Sequence, residues 1–111
     1  MGLDWCLDDH PEGKDPRDVV SGHTSRGVGL FTAPWDYRGK LLHYVSGLDP
    51  DLVSCAYNNM TPDEMSAYAD KLDAALQDGS VTDPDSKYTL QGAIAWLRFW
   101  SGHGFSLYAW Y

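Results

Sequence analysis

Residues 61–78 read TPDEMSAYADKLDAALQD, and they carry the clearest local instruction in the chain. Thr61 is a helix cap, Pro62 suits the first helical position, and Glu64 completes the reciprocal capping-box pattern. Met65, Ala69, Leu72, Ala75 and Leu76 then recur at helical spacing, with acids on the opposite side. Asp78-Gly79 stops the helix. A second long helix is expected over about 86–101. Its inner stripe is Leu90, Ala93, Ile94, Leu97 and Trp100, with Trp96 and Phe99 adding grease to the other side and Gly102 and Gly104 ending it.

The flanks change period. Leu3, Trp5 and Leu7 alternate with polar residues at 1–7, and Phe105, Leu107 and Ala109 alternate with Ser106, Tyr108 and Trp110 at 105–111. Both read as strands. Residues 8–25 contain Pro11, Gly13, Pro16 and Gly22 and read as a loop, and 26–31 as a short strand weakened by two glycines. A Pro34-Trp35-Asp36-Tyr37 turn leads to a short helix over 40–46, closed by Gly47. Asp49-Pro50 opens another, which runs to about Tyr57 and is ended by Asn58-Asn59. The expected fold is therefore α+β: one domain over 1–111, with a small sheet that includes both terminal strands. Two main helices (about 62–78 and 86–101) and one or two short helices (about 40–57) pack on it. Pairing the terminal strands would tie down ends that otherwise fray.

Bulk properties narrow the function classes. The chain has 111 residues and a net charge of −8, which works against general nucleic-acid binding and against anionic membranes. Its longest apolar runs fall far short of the ~18 residues of a membrane span. The start lacks the basic-then-apolar pattern of an export signal, so a cytoplasmic location is expected, with Cys6 and Cys55 as free thiols. Aromatic residues make up 14% of the chain, including 5 Trp. Such rings serve cores and interfaces alike.

Charge is unevenly spread. Residues 11–40 carry a net +1, from Lys14, Arg17, Arg26, Arg38 and Lys40 against four acids, while residues 41–111 carry −6. An anion site would draw on Arg26, Gly27, Gly29, Arg38 and Lys40, with Trp35 or Tyr37 as a stacking ring for a nucleotide-like ligand. The glycine spacing is neither a Walker nor a dinucleotide pattern, and a glycine-containing strand entry with solvated basic residues is the favoured reading of this segment. Asp8, Asp9, His10 and His23 form the alternative, a metal-dependent hydrolase. No Cys-x-x-Cys or His-Glu-x-x-His spacing supports a metal, and no nucleophile elbow is present, so no catalytic residue, metal or cofactor is assigned.

Eight aromatic residues fall in the last 24 positions: Tyr88, Trp96, Phe99, Trp100, Phe105, Tyr108, Trp110 and Tyr111. Of these, Trp96, Phe99, Tyr108 and Trp110 are the candidate interface, since one helix and one strand are hard pressed to bury so many rings. A final helix apolar around most of its circumference predicts a homodimer or higher closed oligomer across Trp96, Phe99 and Trp110.

Met1-Gly2-Leu3-Asp4-Trp5, Arg38-Gly39-Lys40, and Met60-Thr61-Pro62-Asp63-Glu64-Met65 with Tyr68-Ala69 resemble segments of a loose group of small phage and bacterial proteins. The shared segments carry no catalytic signature. The basic Lys-Pro-Lys-Pro-Gly-His stretch of longer members is missing from this chain. The resemblance implies a phage or mobile-element setting within a bacterial host. The expected function is that of a non-enzymatic accessory protein that counters host defence by binding a host protein or sequestering a small anionic signal.

Overall fold

The computed structural model describes residues 2–7 and 36–111. The strand expected at 26–31 and the loop at 8–25 lie outside these residues. Strand β1 (Asp4–Leu7) is the centre of a three-stranded sheet, flanked by β2 (Asp36–Tyr37) and β3 (Leu107–Trp110) in the order β2-β1-β3. Both pairings are antiparallel. Trp5 lies opposite Ala109 and Tyr37, and Cys6 opposite Tyr108 and Asp36. The two terminal segments are thus joined along Asp4–Trp110 to Leu7–Leu107, as the alternation predicts. Leu3, Trp5, Leu107 and Ala109 are buried, while Tyr108 and Trp110 face outward.

A 3-10 helix spans Gly39–Tyr44 where the pattern predicts a short helix over 40–46. Helices α1 (Pro50–Cys55), α2 (Pro62–Gln77) and α3 (Pro84–Gly102) follow. All three α-helices among the described residues begin with the same device, a capping side chain followed by Pro. Asp49 accepts from the Asp51 amide, Thr61 from Glu64, and Asp83 from Ser86. Proline costs nothing at the first helical position, where no amide partner is needed. The Asp83-Pro84 pair explains why α3 starts two residues earlier than periodicity suggests. In α2 the capping box is closed on both sides, at 3.0 Å from the Thr61 amide to Glu64 Oε1 and 3.3 Å from the Glu64 amide to Thr61 Oγ1.

The end of α3 sets up β3. Gly104, at φ +82°, donates to the Ser101 carbonyl, and Phe105 donates to that of Trp100. This is a Schellman termination, and the Phe105 ring packs on Trp100 at 4.9 Å, as that motif favours. The chain therefore leaves the helix at a fixed angle and enters the sheet beside β1.

Core packing answers the question of the greasy final helix. Trp96 and Trp100 are both 0% exposed. The Trp96 ring lies 5.8 Å from Trp5 and 6.4 Å from Tyr37, so the sheet covers that side of α3, while α2 and the 3-10 helix pack on others. Trp96 is consequently a core residue and is not available to an interface, and half-buried Phe99 packs against the same core. The apolar circumference of α3 is covered from within the chain. Trp5 is the hinge between layers: its indole N–H donates to the Ala56 carbonyl at 2.9 Å, tying β1 to the segment after α1.

Candidate binding surface

Three of the exposed rings gather along β3 and the residue after it, while exposed Tyr44 and Tyr88 stand apart on the 3-10 helix and α3. Trp110 and Tyr111 are each 62% exposed and Tyr108 is 42% exposed. Alternation along β3 explains Tyr108 and Trp110, because Leu107 and Ala109 occupy the inward positions, and Tyr111 lies just past the end of the strand. The neighbouring segment after α1 brings Tyr57, Asn58 and Asn59 alongside. A hollow of about 390 Å³ opens between the two, lined by Tyr57, Asn58, Asn59, Tyr108, Trp110 and Tyr111. None of these six side chains carries a formal charge.

Three contacts shape its wall. Met60 and Leu107 exchange backbone hydrogen bonds at 3.0 and 2.9 Å, which holds the 57–60 segment against the outer edge of β3. Beyond that bridge, Asn59 Oδ1 accepts from the Ala109 amide at 3.0 Å, a side chain standing in for a neighbouring strand. Tyr57 packs edge-on against Tyr111 at 5.0 Å, and its hydroxyl lies 2.7 Å from His43 Nε2. A second hollow of about 270 Å³ lies on the other side of Trp110 and Tyr111, bounded by Gly2 and Asp4. The Trp110–Tyr111 pair thus forms a ridge between the two.

Other candidate residues sort differently. Arg26, Gly27, Gly29 and Trp35, and likewise Asp8, Asp9, His10 and His23, lie outside the described residues. Tyr37 stacks on Trp5 at 5.4 Å and donates from its hydroxyl to the Thr89 carbonyl at 3.0 Å. Burial pushes its pKa up to about 12. It is a packing residue whose ring is engaged with the core, which corrects its reading as a free stacking ring. Arg38 is exposed and Lys40 half-buried, with the Lys40 amide bonded to the Leu3 carbonyl at 3.0 Å. Neither lines the two hollows. No group of three or more His, Cys, Asp or Glu side chains suited to a metal occurs among the described residues. Cys6 and Cys55 form no disulfide, and both are half-buried. Cys55 borders a third, smaller hollow with Met60, Tyr68 and Lys71. There the Tyr68 hydroxyl is held on the Leu52 carbonyl at 2.6 Å, and burial, with a contribution from Cys55, pushes its pKa strongly upward.

The outer face of α2 is less acidic than its sequence implies. Arg98 on α3 reaches Asp70 and Asp73 at 3.1 and 3.2 Å, which neutralises part of that face. Among the described residues, no helix is long and apolar enough to cross a membrane.

Two of the four interface residues expected from sequence, Tyr108 and Trp110, therefore stand on the surface. Tyr57, Asn58, Asn59 and Tyr111 complete it. Asn58-Asn59 carries a turn signal in the sequence, but its apposition to β3 depends on a pairing between segments some fifty residues apart, such as Asn59 and Ala109. Comparison with known proteins finds no matching family model, no matching curated protein and no matching solved structure.

Proposed function

We propose that this chain is a binding protein that acts through the uncharged aromatic surface formed by β3 and the 57–59 segment, and that its partner is another protein. The observation that supports the reading is the grouping of three solvent-facing rings, Tyr108, Trp110 and Tyr111, beside amide side chains, whereas the other strongly exposed rings, Tyr44 and Tyr88, line neither hollow. Tyr and Trp are the residues most enriched among energetically dominant interface positions. The surrounding residues carry the chemistry of recognition, namely hydrogen-bond donors and apolar faces, and no nucleophile–base pair or metal-ligand set accompanies them in the hollow. The resemblance to small phage and bacterial proteins extends the proposal: the partner would be a bacterial host protein, and binding would counter a host defence.

Affinity capture from bacterial lysate, with the natural chain and Trp110→Ala side by side, tests the reading. A partner retained by the first and lost by the second is expected. Equal capture by both would exclude the surface. Native mass spectrometry of the purified chain checks the anion-binding reading in the same preparation, since a retained nucleotide would favour it. Sedimentation equilibrium at micromolar concentration separates partner binding from self-association: a dimer dissociated by Trp110→Lys would assign the rings to a second copy of the chain.

A further inference from the structure

The form of the hollows points to one kind of segment. Resting on the reading of this surface as a protein-binding site, we infer that its ligand is a proline-rich, left-handed extended segment with an adjacent Lys or Arg. Three features carry this.

The first is the hydrogen-bonding character of the groove. A polyproline II segment has no internal hydrogen bonds, and its prolines have no N–H, so it offers carbonyl acceptors and needs donors opposite. The Asn59 side-chain oxygen accepts from the Ala109 amide, and the two N–H bonds of its Nδ2 have no acceptor among the described residues. The Asn58 amide, the Tyr108 and Tyr111 hydroxyls and the Trp110 indole N–H add further donors around the same hollow. Strand addition is the competing way for a peptide to bind a sheet edge, and it requires the edge amides to be free. Here the Ala109 amide is already satisfied by Asn59, so the edge is closed to that mode at its centre.

The second feature is relief. Trp110 and Tyr111 line both hollows and separate them. Aromatic ridges between successive shallow pockets are how proline-rich segments are gripped, because flat pyrrolidine rings lie against aromatic faces. The segment is already extended in solution, so little ordering entropy is lost when it docks.

The third is charge. The hollow bounded by Tyr57 and the asparagines has no ionised side chain, whereas the one across the ridge contains Asp4. Asp4 has no ion-pair partner among the described residues and sits opposite Trp110 in the sheet. A basic residue next to the prolines would meet it there, and the net charge of −8 would steer such a segment in.

The test is calorimetric titration of the full chain with an oligoproline peptide ending in Arg-Arg. Plain oligoproline and a Gly-Ser peptide of equal length ending in Arg-Arg serve as comparisons. Saturable binding of the first is expected, with weaker binding of the second and none of the third. Trp110→Ala should weaken it about tenfold or more. Asp4→Asn should abolish the advantage of the arginines while leaving plain oligoproline unaffected. Both side chains lie on the outer face of the sheet, and Tyr108→Ala provides an independent loss of ring surface should either variant fold poorly. Failure of the arginine-tailed oligoproline to saturate at millimolar concentration, or equal binding of the Gly-Ser peptide, would overturn the inference. If lysate capture still depends on Trp110 in that case, the binding surface stands and only the ligand class is wrong. If capture is indifferent to Trp110, the surface itself is wrong.

Discussion

Substituting Gly39 by alanine probes the joint between β1 and the 3-10 helix. A β-carbon at Gly39 would lie 2.7 Å from Trp5 Nε1, 2.9 Å from Cε2 and 3.0 Å from Cδ1. Ordinary carbon contacts fall near 3.5–4.0 Å, so about 1 Å must be found. Trp5 cannot readily yield it. The ring is 0% exposed, its N–H is held on the Ala56 carbonyl at 2.9 Å, and Tyr37, Tyr68 and Trp96 surround it. Overpacking of this kind costs about 1–3 kcal/mol. If the indole moves instead, a buried hydrogen bond worth about 1 kcal/mol is strained or lost. The smaller conformational freedom of alanine in the unfolded chain returns about 0.4–1 kcal/mol. The expected net loss for Gly39→Ala is therefore about 2 kcal/mol, or roughly 8 °C in melting temperature for a domain of this size. Urea denaturation of the natural chain, Gly39→Ala, Trp5→Phe and the double variant measures it. Phenylalanine lacks the pyrrole edge that the new methyl meets, so Gly39→Ala should cost little in the Trp5→Phe background, a coupling of about 1–3 kcal/mol. Additivity of the two substitutions within about 0.5 kcal/mol would refute the proposed contact.

Three further outcomes are expected. Gly47→Ala should be much more damaging than Gly79→Ala: both sit at positive φ, +89° and +85°, but a β-carbon at Gly47 runs into the Ser80 backbone carbonyl whereas at Gly79 it meets nothing within 4 Å. Thermal melts should show a loss of about 1–2 kcal/mol at Gly79 and more than about 3 kcal/mol at Gly47. Burial raises the pKa of Tyr37 to about 12 and that of Tyr68 further still, so both hydroxyls stay protonated in the folded chain after they would ionise in the unfolded one. Their contribution is complete below about pH 10 and is lost as pH rises through the folded values. The slope is up to about 1.4 kcal/mol per pH unit for each. Urea midpoints taken between about pH 9 and 11 should fall accordingly, and Tyr68→Phe should remove about half of the fall; an unchanged slope would contradict the burial of that hydroxyl. Asn59→Ala should free the Ala109 amide, lower stability by about 1 kcal/mol and open the β3 edge to pairing. Analytical ultracentrifugation should then show concentration-dependent association absent from the natural chain.

Much of the fold is written locally. Thr61-Pro62-Asp63-Glu64 sets the start of α2 because capping depends on residues three positions apart, and Gly104-Phe105 ends α3 for the same reason. Strict alternation at 105–111 separates Leu107 and Ala109 from Tyr108 and Trp110 before any partner strand is known, because side chains in a strand point alternately to opposite faces. Tertiary structure alone decided which aromatic residues are spent on the core. Trp96 and Trp110 are equally apolar in the sequence, yet one is buried against Trp5 and Tyr37 and the other stands at 62% exposure. Periodicity marks the sides of α3 but not the number of elements that cover them, and both the sheet and α2 turn out to do so. The groove depends on the same kind of remote information. Asn58 and Asn59 signal no more than a turn until the Met60–Leu107 bridge carries them to the edge of β3, where a distant backbone amide gives Asn59 its partner and the exposed rings their boundary.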